Sequence, residues 1–373
     1  MKRVLLLGAG HAQLAVLEAL ARERRRPASE WLLVSPGDRF LYSGRVPGWV
    51  AGRFDYSECS FPIGPLAQAA GVDFLQGRAV ALDAAAQCVT LSDGRRVEYD
   101  LLSLDIGGTQ DRDRLPGARA NALFLRPMEG FAQLWRETQV LASERALDVV
   151  VVGGGAAGIE IALAVRQALE GRASVTVVAE GGLLPGHAEG AQHRAAAALQ
   201  QRSIQVLPGR CTAIEPWHVR LGALRVACDV PIVAVGSNAP AWLAGSGLAL
   251  DDDGFVCTGP TLQSTSHPTV FAAGDVSTRA DQPHPRSGVH AVRAGPVLAR
   301  NLLDWLRGAK LAQHNPPGRS LYLLSTGDGR AIASWGSWSA EGRWLGRWKD
   351  RIDGAFLARY RGFRPAPGRS QAA

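Results

Sequence analysis

Val149-Val150-Val151-Val152-Gly153-Gly154-Gly155-Ala156-Ala157-Gly158-Ile159-Glu160-Ile161 decides how this chain folds. A short valine run bounded by glycine reads as a strand buried on both faces of a parallel sheet. The spaced glycines Gly153, Gly155 and Gly158 then meet the needs of a dinucleotide loop. The first permits a tight turn, the second lets a pyrophosphate approach the backbone, and the third lets the next helix pack closely on the strand. Ile159 to Leu169 reads as that helix, its N-terminus facing the phosphate charge, and Val175 to Val178 as the following strand.

The same order occurs nearer the start. Val4 to Leu7 reads as a strand, Gly8-Ala9-Gly10 as the turn, His11 to Ala21 as a helix and Trp31 to Val34 as the next strand. Gly8 and Gly153 lie 145 residues apart, about one domain. Leu101 to Ile106, ending in Gly107, and Ile232 to Val235, ending in Gly236, read as matching later strands of the two units. The two loops are unequal, because Gln13 stands where the first loop needs its third glycine.

An acidic residue at the end of the second strand ordinarily binds the adenosine ribose. The first unit offers Ser35 there, with Asp38 beyond it; the second offers Ala179 and then Glu180, one place late. Glu180 favours NADH over NADPH, since a carboxylate repels a 2′-phosphate. A third segment, Thr269 to Ala273 followed by Gly274-Asp275, reads as a strand whose terminal aspartate accepts hydrogen bonds from the ribityl chain of FAD. The expected fold is therefore α/β, with two doubly wound Rossmann-like dinucleotide-binding domains and a small C-terminal α+β region.

Composition narrows the function classes. The chain has 373 residues, 46% hydrophobic and 20% charged, as in an ordinary soluble protein of two or three domains. Its net charge of +7 rests on scattered arginine, the lysines being Lys2, Lys310 and Lys349, and no nucleic-acid-binding module accompanies it. Cys59, Cys88, Cys211, Cys228 and Cys257 form no close pair, which argues against a disulfide scaffold or a metal site and for a reducing cytoplasm. The basic start followed by an apolar run mimics a secretory signal, but His11, Gln13 and Glu18 interrupt it and the first glycine loop falls within it. No stretch of 18 uncharged apolar residues spans a membrane.

Several segments together resemble the flavoprotein family of pyridine nucleotide-disulfide oxidoreductases. They are Leu6-Leu7-Gly8-Ala9-Gly10-His11-Ala12, Tyr42-Ser43-Gly44 with Pro47-Gly48, Ser103-Leu104-Asp105-Ile106-Gly107, Gly288-Val289-His290-Ala291-Val292-Arg293 and Gly295-Pro296-Val297-Leu298. The likeness falls in the branch of type II NADH dehydrogenases and sulfide:quinone reductases. A nearer match is the group found alone or fused ahead of selenide, water dikinase. It covers roughly residues 1 to 305 and extends through Thr326-Gly327-Asp328 and Trp348-Lys349-Asp350.

The resemblance implies FAD bound by residues 1–115 and 246–308, and NADH or NADPH bound by an inserted domain, residues 116–245. Residues 309–373 would serve dimerisation or a membrane interface. The expected FAD residues are Gly8, Gly10, His11, Ala12, Ser35, Tyr42, Gly44, Gly107, Gly274, Asp275, Val289 and His290; those for NAD(P)H are Gly153, Gly155, Gly158, Glu180 and Gly236. Glu160 resembles the glutamate near the nicotinamide-flavin contact, against its reading as an ordinary first-turn residue favoured by the helix dipole. Arg293 either adds positive charge at the reduced flavin edge or is a solvated helix residue.

The family also implies a redox disulfide, and here the chain departs. No cysteine pair lies where one is expected beside the flavin, and Cys59 reads as a buried structural thiol. That leaves direct hydride transfer from NAD(P)H to FAD and on to a quinone or another small acceptor. The alternatives are a reductase of selenium or sulfur metabolism and a slow flavin or nucleotide sensor.

From Arg343 to Phe363, the residues Trp344, Trp348, Ile352, Phe356, Tyr360 and Phe363 recur at helical spacing. The flanking charges are mainly arginine, as in helices that lie in a membrane interface. Two readings stand: a peripheral contact on the inner face of the cell membrane, or docking on the protein's own core or a homodimer partner. Residues 365–373 read as a mobile tail.

Overall fold

A computed structural model describes residues 1–363 apart from Arg24 and Arg26; the expected tail, residues 365–373, lies outside the described residues. The chain begins with β1 (Lys2–Leu7), α1 (His11–Arg22), β2 (Ser29–Ser35), β3 (Asp73–Gln76) and β4 (Leu101–Leu104). It then builds a second unit from β5 (Leu123–Phe124), α2 (Met128–Glu144), β6 (Leu147–Val152), α3 (Ala156–Ala168), β7 (Ala173–Ala179), α4 (Glu189–Gln201), β8 (Gln205–Pro208) and β9 (Val230–Val233). With β10 (Val270–Ala272) it returns to the first sheet, which is followed by α5 (Gly288–Leu306).

Both sheets are parallel, with strand orders β10-β4-β1-β2-β3 and β5-β9-β6-β7-β8. The valine and leucine runs explain why. Val4 and Leu6 of β1 enter the core under α1 and α5, while Leu5 and Leu7 enter the core on the other face. In β6, Val149 and Val151 face one core and Val150 and Val152 the other. A strand covered on both sides has no solvent face, so its sequence is continuously apolar. Each such side chain contributes about 1.5–3 kcal/mol through burial.

Several boundaries differ from the sequence reading: α3 begins at Ala156 rather than Ile159, and the strand expected over Ile232 to Val235 is Val230–Val233. The strand expected over Leu101 to Ile106 ends at Leu104; the Asp105 amide still bonds the Leu7 carbonyl, and its carboxylate accepts the Ala12 and Gln13 amides of α1. The segment Gly288 to Arg293 forms the start of α5, where the Ser287 carbonyl accepts the amides of His290 and Ala291.

The C-terminal region is an antiparallel sheet, β11 (Tyr322–Ser325), β12 (Ala331–Trp335) and β13 (Trp338–Gly342), followed by α6 (Arg343–Arg361). It ties the two nucleotide units together. The Ser334 hydroxyl accepts from the Ala188 amide at 3.1 Å and Arg202 pairs with Asp328 at 2.6 Å, both towards the second unit. On the first unit, Arg53 pairs with Asp350 at 2.7 Å and Arg359 bonds Glu18 of α1.

Candidate active site

Both glycine loops sit at the C-terminal ends of central strands, β1 and β6. Gly8 and Gly153 have φ of +90° and +133°. A Cβ on Gly153 would stand 2.5 Å from the Ala234 carbonyl oxygen, and one on Gly8 would overlap that of Asp105. Asp105 and Ala234 are thus equivalent positions, each donating its amide to the end of the central strand, Leu7 or Val152. A side chain at Gly158 would overlap the Gly153 carbonyl, so α3 can approach β6 only through glycine. In the first unit Gln13 takes that place, fully buried, and its Nε2 donates to the Ser103 carbonyl at 2.7 Å.

The second loop is open. The amides of Ala156, Ala157 and Gly158 have no protein acceptor among the described residues, and Glu180 stands exposed just beyond β7. The loop after β7 folds over the glycines, with the Leu184 amide on the Gly154 carbonyl at 2.8 Å. Uncapped amides at a helix N-terminus fit the pyrophosphate of a nicotinamide dinucleotide. Gly236 follows β9, where Thr109 and Asn238 exchange backbone hydrogen bonds at 2.9 and 2.7 Å and so join the two units just beyond Gly107.

The first loop is closed from below. Asp105, 3% exposed, accepts the Ala12 and Gln13 amides on Oδ2 at 2.7 and 2.9 Å. Gly274 (φ +73°) lies against it, and Asp275 pairs with Arg126 at 2.8 Å. The glycine cradle of Gly8, Gly10 and Gly274 and the Asp275 carboxylate fit the two ends of the FAD span expected of them. Ser35 ends β2, buried, its carbonyl held by the Gly77 amide at 3.0 Å. His11 is packed among Phe40, Tyr42 and Phe356, and burial lowers its pKa to about 4, so its ring is neutral. His290 stacks on His284 and faces Ser320, and its amide already serves Ser287; Gly288 and Val289 supply the free end of α5.

Between the two units lies a polar cluster drawn from distant segments. Glu160, just past the first turn of α3, accepts the Ser325 amide at 2.7 Å; burial pushes its carboxyl up to about 7, with Lys349 opposing. Lys349 donates to the Gly44 carbonyl at 2.7 Å and to Asp353 at 2.8 Å. The Tyr42 hydroxyl donates to Asp353 at 3.1 Å, and its ring stacks on Phe356. Glu160, Tyr42 and Gly44, each read from the sequence as a site candidate, thus lie around one cluster. Arg293 is not part of the cluster; it is exposed on α5 and makes no ion pair among the described residues.

Comparison with known proteins gives this arrangement its family. The model of the pyridine nucleotide-disulphide oxidoreductases matches residues 2–295. The chain belongs to this family. Demethylphylloquinone reductase NdbB of Synechocystis sp. is 27% identical over 345 residues, covering 87% of this chain and 85% of the relative. The sulfide:quinone oxidoreductase structure from Aquifex aeolicus superposes with a TM-score of 0.81 at 19% identity, over 99% of this chain and 93% of that one. The NDH2 structure from Plasmodium falciparum with NADH gives 0.79 at 12% identity, over 96% and 97%. Membership makes the protein an FAD-dependent NAD(P)H oxidoreductase of the type II NADH dehydrogenase-like branch.

All five cysteines are free thiols, and burial pushes Cys59 up to about 12, which keeps it protonated and inert. Sequence reasoning quoted Asp105 and Lys349 only within motifs and gave neither them nor Arg126 and Asp353 a site role. Two signals were present: an aspartate ending an apolar strand, and a lysine in a chain that otherwise uses arginine.

Proposed function

We propose that the protein oxidises NADH at the second loop and passes the electrons through FAD to a membrane quinone. The carrying observation is the cluster of Glu160, Lys349, Asp353 and Tyr42 at the junction of both nucleotide units and the C-terminal region. FAD, when bound, supplies the two-electron relay between nicotinamide and acceptor. Reduction of a quinone to a quinol also needs two protons, and the cluster holds proton-bearing groups. Glu160 exchanges a proton near neutral pH, and the Lys349 ammonium stabilises its ionised form. Lys349 and Asp353 fix Tyr42 and Gly44, the wall facing the acceptor. The Glu160 role, the FAD and NADH residues above, and the domain boundaries near residues 115, 245 and 308 belong to this reading. Exposed Glu180 supports NADH as the donor.

The C-terminal helix supports a peripheral membrane contact. Its inner face buries Leu345, Lys349, Asp353, Leu357 and Tyr360 on the protein. Its outer face exposes Trp344, Trp348 and Ile352 beside Arg343, Arg347 and Arg351, and Trp335 and Trp338 are exposed on the preceding hairpin. Tryptophan with arginine suits a headgroup layer. No helix among the described residues is long and apolar enough to cross a membrane. The test is NADH:quinone turnover with anionic vesicles present. Wild type is expected to bind the vesicles and reduce the quinone, and W344A/W348A to lose vesicle binding about tenfold. Equal vesicle binding by both proteins, or NADH oxidation that never reduces a quinone, contradicts the proposal.

A further inference from the structure

We infer that Asp105 takes up a proton when FAD binds, so that a neutral carboxyl lies beneath the first glycine loop and flavin affinity falls as pH rises. The inference rests on FAD occupying the first loop. In the ligand-free protein the carboxylate accepts the Ala12 and Gln13 amides on one oxygen and satisfies the positive end of α1. A pyrophosphate belongs at that same helix end. Binding therefore brings an anion to a site that already holds one. Of the two, only the carboxyl can neutralise near physiological pH.

The packing gives Asp105 nowhere to retreat. A Cβ on Gly10 would overlap the carboxylate, and one on Gly274 would stand 2.7 Å from Oδ1, so the group is wedged between two backbones. No lysine or arginine pairs with it among the described residues. The ionisable neighbours are His11 on α1, held neutral by burial, and Asp275 beyond β10, whose charge is directed to Arg126. Burial already raises the Asp105 carboxyl to about 7, against the two donated amides and with Asp275 adding to the rise. The second loop carries Ala234 at the matching position and has no such group.

Titration of flavin-stripped protein with FAD, followed by quenching of flavin fluorescence, tests this across about pH 6 to 8.5. Wild-type Kd is expected to be flat below about pH 7 and to rise on the order of tenfold by about pH 8.5. D105N, isosteric and uncharged, should lose that dependence. Calorimetry in buffers of different ionisation enthalpy gives an independent reading on wild type alone, with nearly one proton taken up per FAD at about pH 8. Equal pH dependence in wild type and D105N, or no proton uptake by wild type, overturns the inference while leaving FAD binding intact. Failure to bind FAD at any pH overturns the cofactor assignment and the inference together.

Discussion

After the last central strand of the first unit stands Asp105; after that of the second stands Ala234. Their backbones do the same work, since each carbonyl lies beneath the first glycine of its loop. Their side chains part the two sites. Asp105 occupies the amides of α1 from inside the protein, whereas the first amides of α3 have no protein acceptor among the described residues. A helix N-terminus can thus be a permanently engaged anion site or a free one, and one residue decides which.

The largest expected effect comes from closing the open loop. G158V would drive a side chain into the Gly153 carbonyl, and overpacking of this kind costs up to about 3 kcal/mol. NADH affinity, read by fluorescence quenching, should fall about a hundredfold while FAD stays bound. Simultaneous loss of both cofactors would instead mean that the loops are not independent.

The next tests the charge at Asp105 through stability. Its folded carboxyl lies near 7 against an ordinary 3.8, so between those values the folded protein binds more protons than the unfolded chain. Its contribution to stability is therefore greatest at low pH and declines as pH rises from about 4 to about 7. Flavin-free D105N should lack that decline, gaining stability relative to wild type as pH rises between those values in denaturant titrations. A constant difference would contradict a buried titrating carboxylate.

The smallest expected effect comes from making the second loop resemble the first. A234D places a carboxylate under the amides of α3 and should weaken NADH about tenfold at pH 8 and less at pH 6. Unchanged affinity would show that the side chain at this position does not set access to the helix end.

Much of this was legible in the sequence, for physical reasons. Strands buried on both faces must be apolar throughout, and a strand that meets a helix over a phosphate needs glycine, so β1, β6 and both loops announced themselves. The face of α6 followed from its 3.6-residue period, though the sequence left open whether it met protein or membrane. The helix has a docked face and an exposed one. What the sequence hid was pairing at long range. Asp105 meets Ala12 across 93 residues, and Lys349 meets Gly44 across 305. Such contacts depend on strand order and helix placement, which no local pattern encodes. For Arg293 the sequence left two readings open, and the side chain is exposed on α5.

The most direct measurement is anaerobic mixing of the FAD-loaded protein with NADH while the flavin absorbance is followed. With a dinucleotide at each loop and no thiol between them, the flavin band should bleach in a single NADH-dependent phase and recover when a quinone is added. An NADH-saturated protein whose flavin stays oxidised would contradict electron transfer between the two loops.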